Sequence, residues 1–83
     1  MRWVIKKGDR YLRFVTHGEN FKGPYRIEES WDDPLWGVAY VAKQSHAATF
    51  EGQRPDDVVG RLGRSRKEVR CVKLRRRGDL PPH

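Results

Sequence analysis

Cysteine is almost absent from this chain of 83 residues, in which Cys71 stands alone. A lone cysteine excludes an internal disulfide and any zinc site built from several cysteines. Long apolar runs are lacking too: the longest, residues 35–42, has eight residues, whereas a membrane-spanning helix needs about 18. The first residues include Arg2 and Lys6 but no apolar stretch typical of a secretory signal. We therefore expect a soluble cytoplasmic protein with no membrane partner.

Residue patterns typical of catalytic or metal sites are also missing. The three histidines, at positions 17, 46 and 83, do not have the spacing of metal ligands. His46 follows Ser45, but adjacent residues of an extended strand point to opposite faces, which does not favour a nucleophile with its base. The sequence therefore predicts a protein that is not an enzyme and that binds no metal or other cofactor.

Acidic residues are too few to balance the basic ones, and the excess is unevenly distributed. The chain has 18 Lys and Arg against 11 Asp and Glu, a net charge of +7. The net charge is +4 over residues 1–15, −4 over residues 16–57 and +7 over residues 58–83. Like charges gathered within about a Debye length, ~8–10 Å, attract polyanions. If the two basic segments pair in one sheet, the molecule has a basic side and an acidic side.

Four runs of the chain have the composition of β-strands. Residues 3–5 and 11–15 are rich in β-formers and flank a Gly-Asp pair, which indicates a hairpin. Residues 35–43 are apolar on both faces, as in a central strand covered by a helix. Residues 69–74 have the pattern of a basic closing strand.

One short helix is predicted over residues 54–63. Pro55 suits the first turn of a helix, and the two aspartates after it favour the positive end of the helix dipole. An apolar stripe follows, formed by Val58, Val59 and Leu62. The prediction is an α+β fold in which a three- to four-stranded, mainly antiparallel sheet packs on one short helix. Residues 1–77 would form a single domain, and residues 78–83 a flexible tail.

Residues 16–34 are dense in turn-forming residues, although residues 25–28 alternate as a short strand would. Such a stretch is as compatible with a simple connector as with a mobile, functional loop. Of the tryptophans in or beside it, Trp36 is expected in the core. Trp31 fits equally well in the core or on a protein-binding edge, since aromatic anchors dominate binding hot spots. That candidate edge consists of Trp31, Asp32 and Asp33.

Three short motifs occur in order along nearly the whole chain. They are Val4–Leu12, Ala47–Phe50 with the helix that follows it, and Val69–Leu74. In this order they resemble small accessory proteins of bacteriophages and prophages, which have a Gly-x-Tyr-Leu hairpin and an Ala-x-x-Phe step. The resemblance implies a compact α+β fold, a mobile-element origin and a location in the host cytoplasm. It carries no catalytic residues.

The strongest candidate site joins the basic C-terminal third to the N-terminal hairpin. The guanidinium group of arginine matches phosphate oxygens bidentately. The nearby aromatic residues, Trp3, Tyr11 and Phe14, would stack on unpaired nucleotides if they are exposed. The sequence predicts a non-catalytic protein that engages nucleic acid or a nucleoprotein complex. The predicted binding residues are Arg10, Arg13, Arg64, Arg66, Lys67, Arg70, Lys73, Arg75, Arg76 and Arg77.

Other interpretations of the same residues stay open. The basic surface would serve solubility alone if the aromatic residues are used in the core of so small a domain. It would equally suit docking on an acidic protein surface. The alternative function is an inhibitor of a host protein, a counter-defence factor of the anti-CRISPR kind, and a third is a structural part of a virion. The sequence does not distinguish DNA from RNA, nor does it predict an oligomeric state.

Overall fold

The computed structural model describes residues 1–74, with the backbone alone described for residues 20–22. This part of the chain has an α+β fold with one six-stranded antiparallel sheet and two short α-helices. A 3₁₀ turn, Gln44–His46, follows the fourth strand. The elements are β1 (Arg2–Lys7), β2 (Arg10–Thr16), α1 (His17–Lys22), β3 (Glu29–Ser30), β4 (Trp36–Val41), β5 (Phe50–Glu51), α2 (Asp56–Arg61) and β6 (Val69–Leu74).

The α+β class is confirmed, but the expected three to four strands were too few. The additional strands, β3 and β5, have two residues each, too short for the alternating pattern by which a strand is recognised. The expected single helix was also wrong. Thr16 caps α1, and its side chain and that of Glu19 form a capping box, the Thr-x-x-Glu signature of a helix start. The alternation over residues 25–28 belongs to no strand; β3 begins just after it.

β1 is paired along both of its edges. β6 covers one edge over the whole strand, from Arg2 opposite Leu74 to Lys7 opposite Val69. β2 and β5 share the other edge, because β2 pairs with the end of β1 and β5 with its beginning. β2 continues along β4, and β3 pairs with β4. The two basic ends of the described chain therefore lie side by side in the sheet.

The predicted hairpin between the first two strands is confirmed. Lys7 pairs with Arg10 across a two-residue loop, and Gly8 has a φ of 62° while no non-glycine residue of the described chain has a positive φ. A positive φ at the first loop residue alone is typical of a type II′ turn, whose twist matches that of the strands it joins.

The core lies mainly on the sheet face covered by α2. Ile5, Leu12, Val38, Tyr40 and Leu62 form its centre, and Val58 and Val59 pack against it, which confirms the predicted helical stripe. Burial of each such aliphatic side chain stabilises the fold by about 1.5–3 kcal/mol. The opposite face buries further small apolar side chains, so β4 is buried on both faces as expected.

The prediction that Trp36 lies in the core was wrong. Its exposed fraction is 37%, because it is the first residue of β4 and pairs with Thr16 at the end of the sheet. Its neighbour Gly37 is buried instead, and the side chain of Ile27 occupies the space that a Cβ atom would need. The apolar segment that starts at Leu35 therefore enters the core two residues later than its composition indicates, at Gly37.

Candidate nucleic-acid interface

Two basic side chains lie directly opposite each other on neighbouring strands. Lys6 of β1 pairs with Arg70 of β6 in the antiparallel register, an arrangement that brings Cβ atoms to about 4.5–5.5 Å. Neither makes an ion pair with an acidic residue in the described part of the chain. Like charges directly opposite destabilise a sheet. This pair is therefore a local concentration of uncompensated positive charge.

An aromatic ring extends this pair across the sheet. Lys6 is also opposite Tyr11 of β2, and its Nζ lies 5.0 Å from the centre of the Tyr11 ring. Residues opposite each other in adjacent strands point to the same face, so Arg70, Lys6 and Tyr11 form a cross-strand row on one face. Tyr11 is half-buried. The row thus presents two cations beside a partly accessible ring.

A second group of basic residues lies in the connection between α2 and β6. Arg64, Arg66 and Lys67 are exposed in this basic turn, residues 63–68, and none makes an ion pair with a described residue. The turn is next to the β1–β2 hairpin, because Val69 is opposite Lys7. The basic turn and the cross-strand row therefore lie near the same end of the sheet.

Glu29 holds the basic turn against the sheet. Its carboxylate accepts hydrogen bonds from the hydroxyl of Ser65, from the Ser65 backbone N–H at 3.2 Å, and from the Tyr40 hydroxyl at 2.9 Å. Ser65 is only 1% exposed although it lies between two exposed arginines. Desolvation raises the pKa of Glu29, but the hydrogen bonds from Ser65 and Tyr40 outweigh it, so the pKa is lowered. Burial raises the pKa of Tyr40 well above its ordinary value.

The predicted binding residues Arg10 and Arg13 are engaged within the molecule. The guanidinium of Arg10 lies 3.0 Å from Glu28 and donates to the Tyr40 carbonyl. Arg13 donates to the His46 carbonyl at 2.8 Å, and its Nε is buried without a hydrogen-bond partner in the described structure. Both arginines therefore hold loops against the sheet, and Arg13 in particular is poorly placed for a phosphate.

The remaining predicted bases do not form one surface. Lys73 is opposite Trp3, and because it is three residues from Arg70 it points to the other face of the strand. The predicted contacts at 75–77 and the predicted tail at 78–83 lie outside the described residues. Lys6, by contrast, was not among the predicted site residues. Its importance comes from its pairing with Arg70, 64 positions away, for which there is no local signal in the sequence.

Of the three aromatic residues predicted for stacking, Tyr11 is the one that lies in the cross-strand row beside Lys6. Trp3 donates its indole N–H to the Gly52 carbonyl at 3.1 Å. Phe14 packs against the rings of Trp31 and Phe50, at centroid distances of 4.9 and 6.3 Å. The core thus uses Phe14, and Tyr11 is the ring best placed for stacking.

The candidate protein-binding edge is largely occupied by internal contacts. Besides its contact with Phe14, Trp31 lies 5.5 Å from the guanidinium of Arg61. Arg61 also forms an ion pair with Asp32 at 2.7 Å. Asp33 accepts a hydrogen bond from the Leu35 backbone N–H at 2.9 Å. These contacts attach the edge to α2 and to the start of β4.

Comparison with protein-family models, curated proteins and solved structures finds no match to this chain. Within residues 1–74, no helix is long and apolar enough to cross a membrane. In the same part of the chain, no three His, Cys, Asp or Glu side chains are grouped so that they could hold a metal ion.

Proposed function

We propose that this chain is a small, non-catalytic binding protein of the phage or prophage type that engages nucleic acid through its basic surface. The centre of this surface is the cross-strand row, and the basic turn adds charge beside it at the same end of the sheet. The observation that carries the proposal is the Lys6–Arg70 pair, two cations held opposite each other with no acidic partner in the described structure.

A bound phosphate compensates such a pair. Two opposed cations repel each other in the free protein, whereas a phosphate between them accepts charge-assisted hydrogen bonds from both. The bases of the turn add positive charge at the same end of the sheet, from the face covered by α2, where Ser65 bonds to Tyr40. Polyanion binding thus supplies the counter-charge that the fold does not.

Tyr11 favours a single strand over a duplex. A base must be unpaired to stack on an aromatic side chain, and such stacking is worth about 1–3 kcal/mol per base. The ring is partly accessible and its position is supported by Lys6. We therefore expect tighter binding to single-stranded DNA or RNA than to a duplex of the same length.

Fluorescence anisotropy with labelled single-stranded and duplex oligonucleotides, measured over a series of salt concentrations, tests this function. Removing both charges of the pair, in Lys6→Ala/Arg70→Ala, should weaken single-strand binding at least about tenfold. It should also reduce the slope of log affinity against log salt by ~1.4, at about 0.7 per phosphate.

The matched control is Arg2→Ala/Arg54→Ala, which changes the net charge by the same amount. Both of these arginines already have acidic partners, Glu51 at 3.8 Å and Asp56 at 2.8 Å. Equal losses of affinity in the two double variants would mean that binding depends on net charge and not on the Lys6–Arg70 pair. No binding of the unaltered chain at low salt would refute the proposed function.

A host protein as the partner is the competing proposal, and one observation favours it. Leu35 and Trp36 are neighbours with exposed fractions of 69% and 37%, beside the candidate edge of Trp31, Asp32 and Asp33. Trp36→Ala tests it better than Trp31→Ala, because Trp31 packs on Phe14. Saturable binding to one purified host protein, unaffected by nuclease and lost in Trp36→Ala, would favour this function.

A further inference from the structure

An open cleft of about 410 Å³ lies beside the β4 backbone, within the size range of small-ligand sites. Its floor includes Ala39 and Val41 of β4. Its lining also includes residues 24–26, Lys43 and His46. None of the residues of the cross-strand row lines the cleft, but Val41 of its floor is opposite Tyr11.

Positive charge predominates in the cleft. Its basic residues are Arg10, Arg26 and Lys43, and its acidic residue is Glu28. The Glu28 carboxylate is already occupied by the Arg10 guanidinium at 3.0 Å and by the Tyr40 backbone N–H at 3.1 Å. Arg26 and Lys43 are exposed and have no ion pair with a described residue. The cleft therefore suits an anionic group.

An aromatic ring is fixed at the wall of the cleft. The guanidinium of Arg13 lies 4.3 Å from the centre of the Tyr25 ring. The His46 imidazole meets the same ring edge-on at 5.7 Å, and its Nδ1 is 2.9 Å from the Tyr25 hydroxyl. A ring held from two sides loses little freedom when a ligand contacts it, and such preorganisation favours binding. With the apolar floor, it provides a surface for a flat, partly apolar group.

The cross-strand row leads to this cleft. Tyr11 is opposite Val41, so that Arg70, Lys6, Tyr11 and Val41 follow one another across four strands on the same face. The row thus ends at the cleft floor. A chain of nucleotides that lies on the row would reach the cleft without crossing to the other face.

We propose that the cleft binds one nucleotide, with its phosphate at Arg26 and Lys43 and its base against Tyr25. The inference rests on the proposed function, because this nucleotide would belong to the strand bound along the row. The chemistry recognised is a phosphate joined to a nucleoside, and a free nucleotide offers the same groups as one within a strand.

Isothermal titration calorimetry with adenosine 5′-monophosphate, adenosine and inorganic phosphate tests the cleft by itself. The monophosphate should bind about tenfold or more tightly than either part alone. Arg26→Ala/Lys43→Ala should weaken its binding by at least about tenfold. The control Arg2→Ala/Arg54→Ala removes the same charge outside the cleft and outside the basic surface, and it should leave monophosphate binding unchanged.

The outcomes separate this inference from the proposed function. If oligonucleotides bind through Lys6 and Arg70 but the monophosphate shows no binding, the cleft is not a nucleotide site and the basic surface stands. If the monophosphate binds but oligonucleotides do not, the strand-binding function fails and the cleft is a site for free nucleotides. Equal loss in the cleft variant and its control would overturn the assignment of the phosphate to Arg26 and Lys43.

Discussion

At the scale of single residues, the position of the basic turn depends on Glu29. Its carboxylate accepts hydrogen bonds from both the backbone and the hydroxyl of Ser65, and Ser65 lies between Arg64 and Arg66. Glu29 therefore positions Arg64 and Arg66 through its hydrogen bonds to Ser65, rather than through contacts with the arginine side chains. Its own strand has only two residues, so side-chain bonds rather than a long ladder fix this end of the sheet.

Replacing this carboxylate should destabilise the fold in a pH-dependent way. Glu29→Gln loses charge-assisted acceptance from Ser65 and Tyr40 and should reduce the free energy of unfolding by about 1–3 kcal/mol at pH 7. Because the folded-state pKa of Glu29 is lowered from 4.5, the stabilisation is present above the unfolded pKa. It disappears as the pH falls through the folded pKa.

Urea denaturation of both proteins at pH 7 and in steps below pH 4.5 measures this difference. The stability gap between them should narrow as the pH falls. Glu51→Gln is the control, because Glu51 is exposed and has a single ion pair at 3.8 Å. A gap that stays constant with pH would mean that the charge of Glu29 has no part in the effect.

Gly37 provides a second test at a single position. Gly37→Ala would place a Cβ atom in space held by the Ile27 side chain, and overpacking of this kind destabilises by about 1–3 kcal/mol. Gly60→Ala in α2 meets no atom within 4 Å and should stabilise the protein by about 0.5–1 kcal/mol. Thermal denaturation compares the two. Similar effects of both substitutions on stability would contradict the close packing of Ile27 against Gly37 at the start of β4.

At the scale of elements, the pairing of β1 with β6 creates the candidate site. These strands come from opposite ends of the described chain, and their register decides which charges meet. It places Arg70 opposite Lys6 and Lys73 opposite Trp3. Two bases in one strand, three residues apart, therefore have different surroundings and are expected to contribute unequally to binding.

A substitution in the Lys6–Arg70 pair should change stability and oligonucleotide affinity in opposite directions. Arg70→Glu would place a carboxylate opposite Lys6, which should stabilise the sheet by about 0.2–1 kcal/mol while it weakens oligonucleotide binding. Lys73→Glu makes the same change in net charge on the other face and should show neither effect to the same degree. Chemical denaturation and anisotropy measure both quantities. Stabilisation without a loss of affinity would show that the Lys6–Arg70 pair is not part of the binding site.

At the scale of the whole molecule, the acidic middle of the chain compensates bases on other elements. Glu28 pairs with Arg10, Glu19 with Arg13 and Asp32 with Arg61. These exposed pairs contribute little stability individually, about 0–1 kcal/mol each. Their larger consequence is that the uncompensated charge of the described chain is left to the basic turn, the cross-strand row and a few scattered bases.

Ligand binding should therefore stabilise the whole fold. An oligonucleotide present at about 100 times its dissociation constant should raise the free energy of unfolding by ~2.7 kcal/mol if it binds only the folded state. At the same oligonucleotide concentration, the increase should be smaller for Lys6→Ala/Arg70→Ala. Denaturation with and without oligonucleotide tests this. A decrease in stability would mean that the unfolded chain, with its net charge of +7, binds the polyanion more tightly.

Several elements could be predicted from the sequence because their causes are local. The hairpin depends on one glycine that adopts a positive φ, and α2 on its first-turn residues and an apolar stripe. The start of α1 had an equally local signal in Thr16 and Glu19, which the density of turn formers around it obscured. The strands of two residues had no such signal, because their pairing with β1 and β4 defines them.

The sequence by itself determined the composition of this protein: a basic chain with segregated charge, one cysteine and enough apolar residues for one modest core. Only the tertiary structure decided which charges remain uncompensated. Arg10 and Arg13 became internal contacts, Trp36 stayed at the surface, and Lys6 came to lie opposite Arg70. The physical reason is that propensity and turn chemistry act between near neighbours. Strand register and ion pairing instead join residues distant in the chain, and a shift of one residue sends every side chain of a strand to the other face.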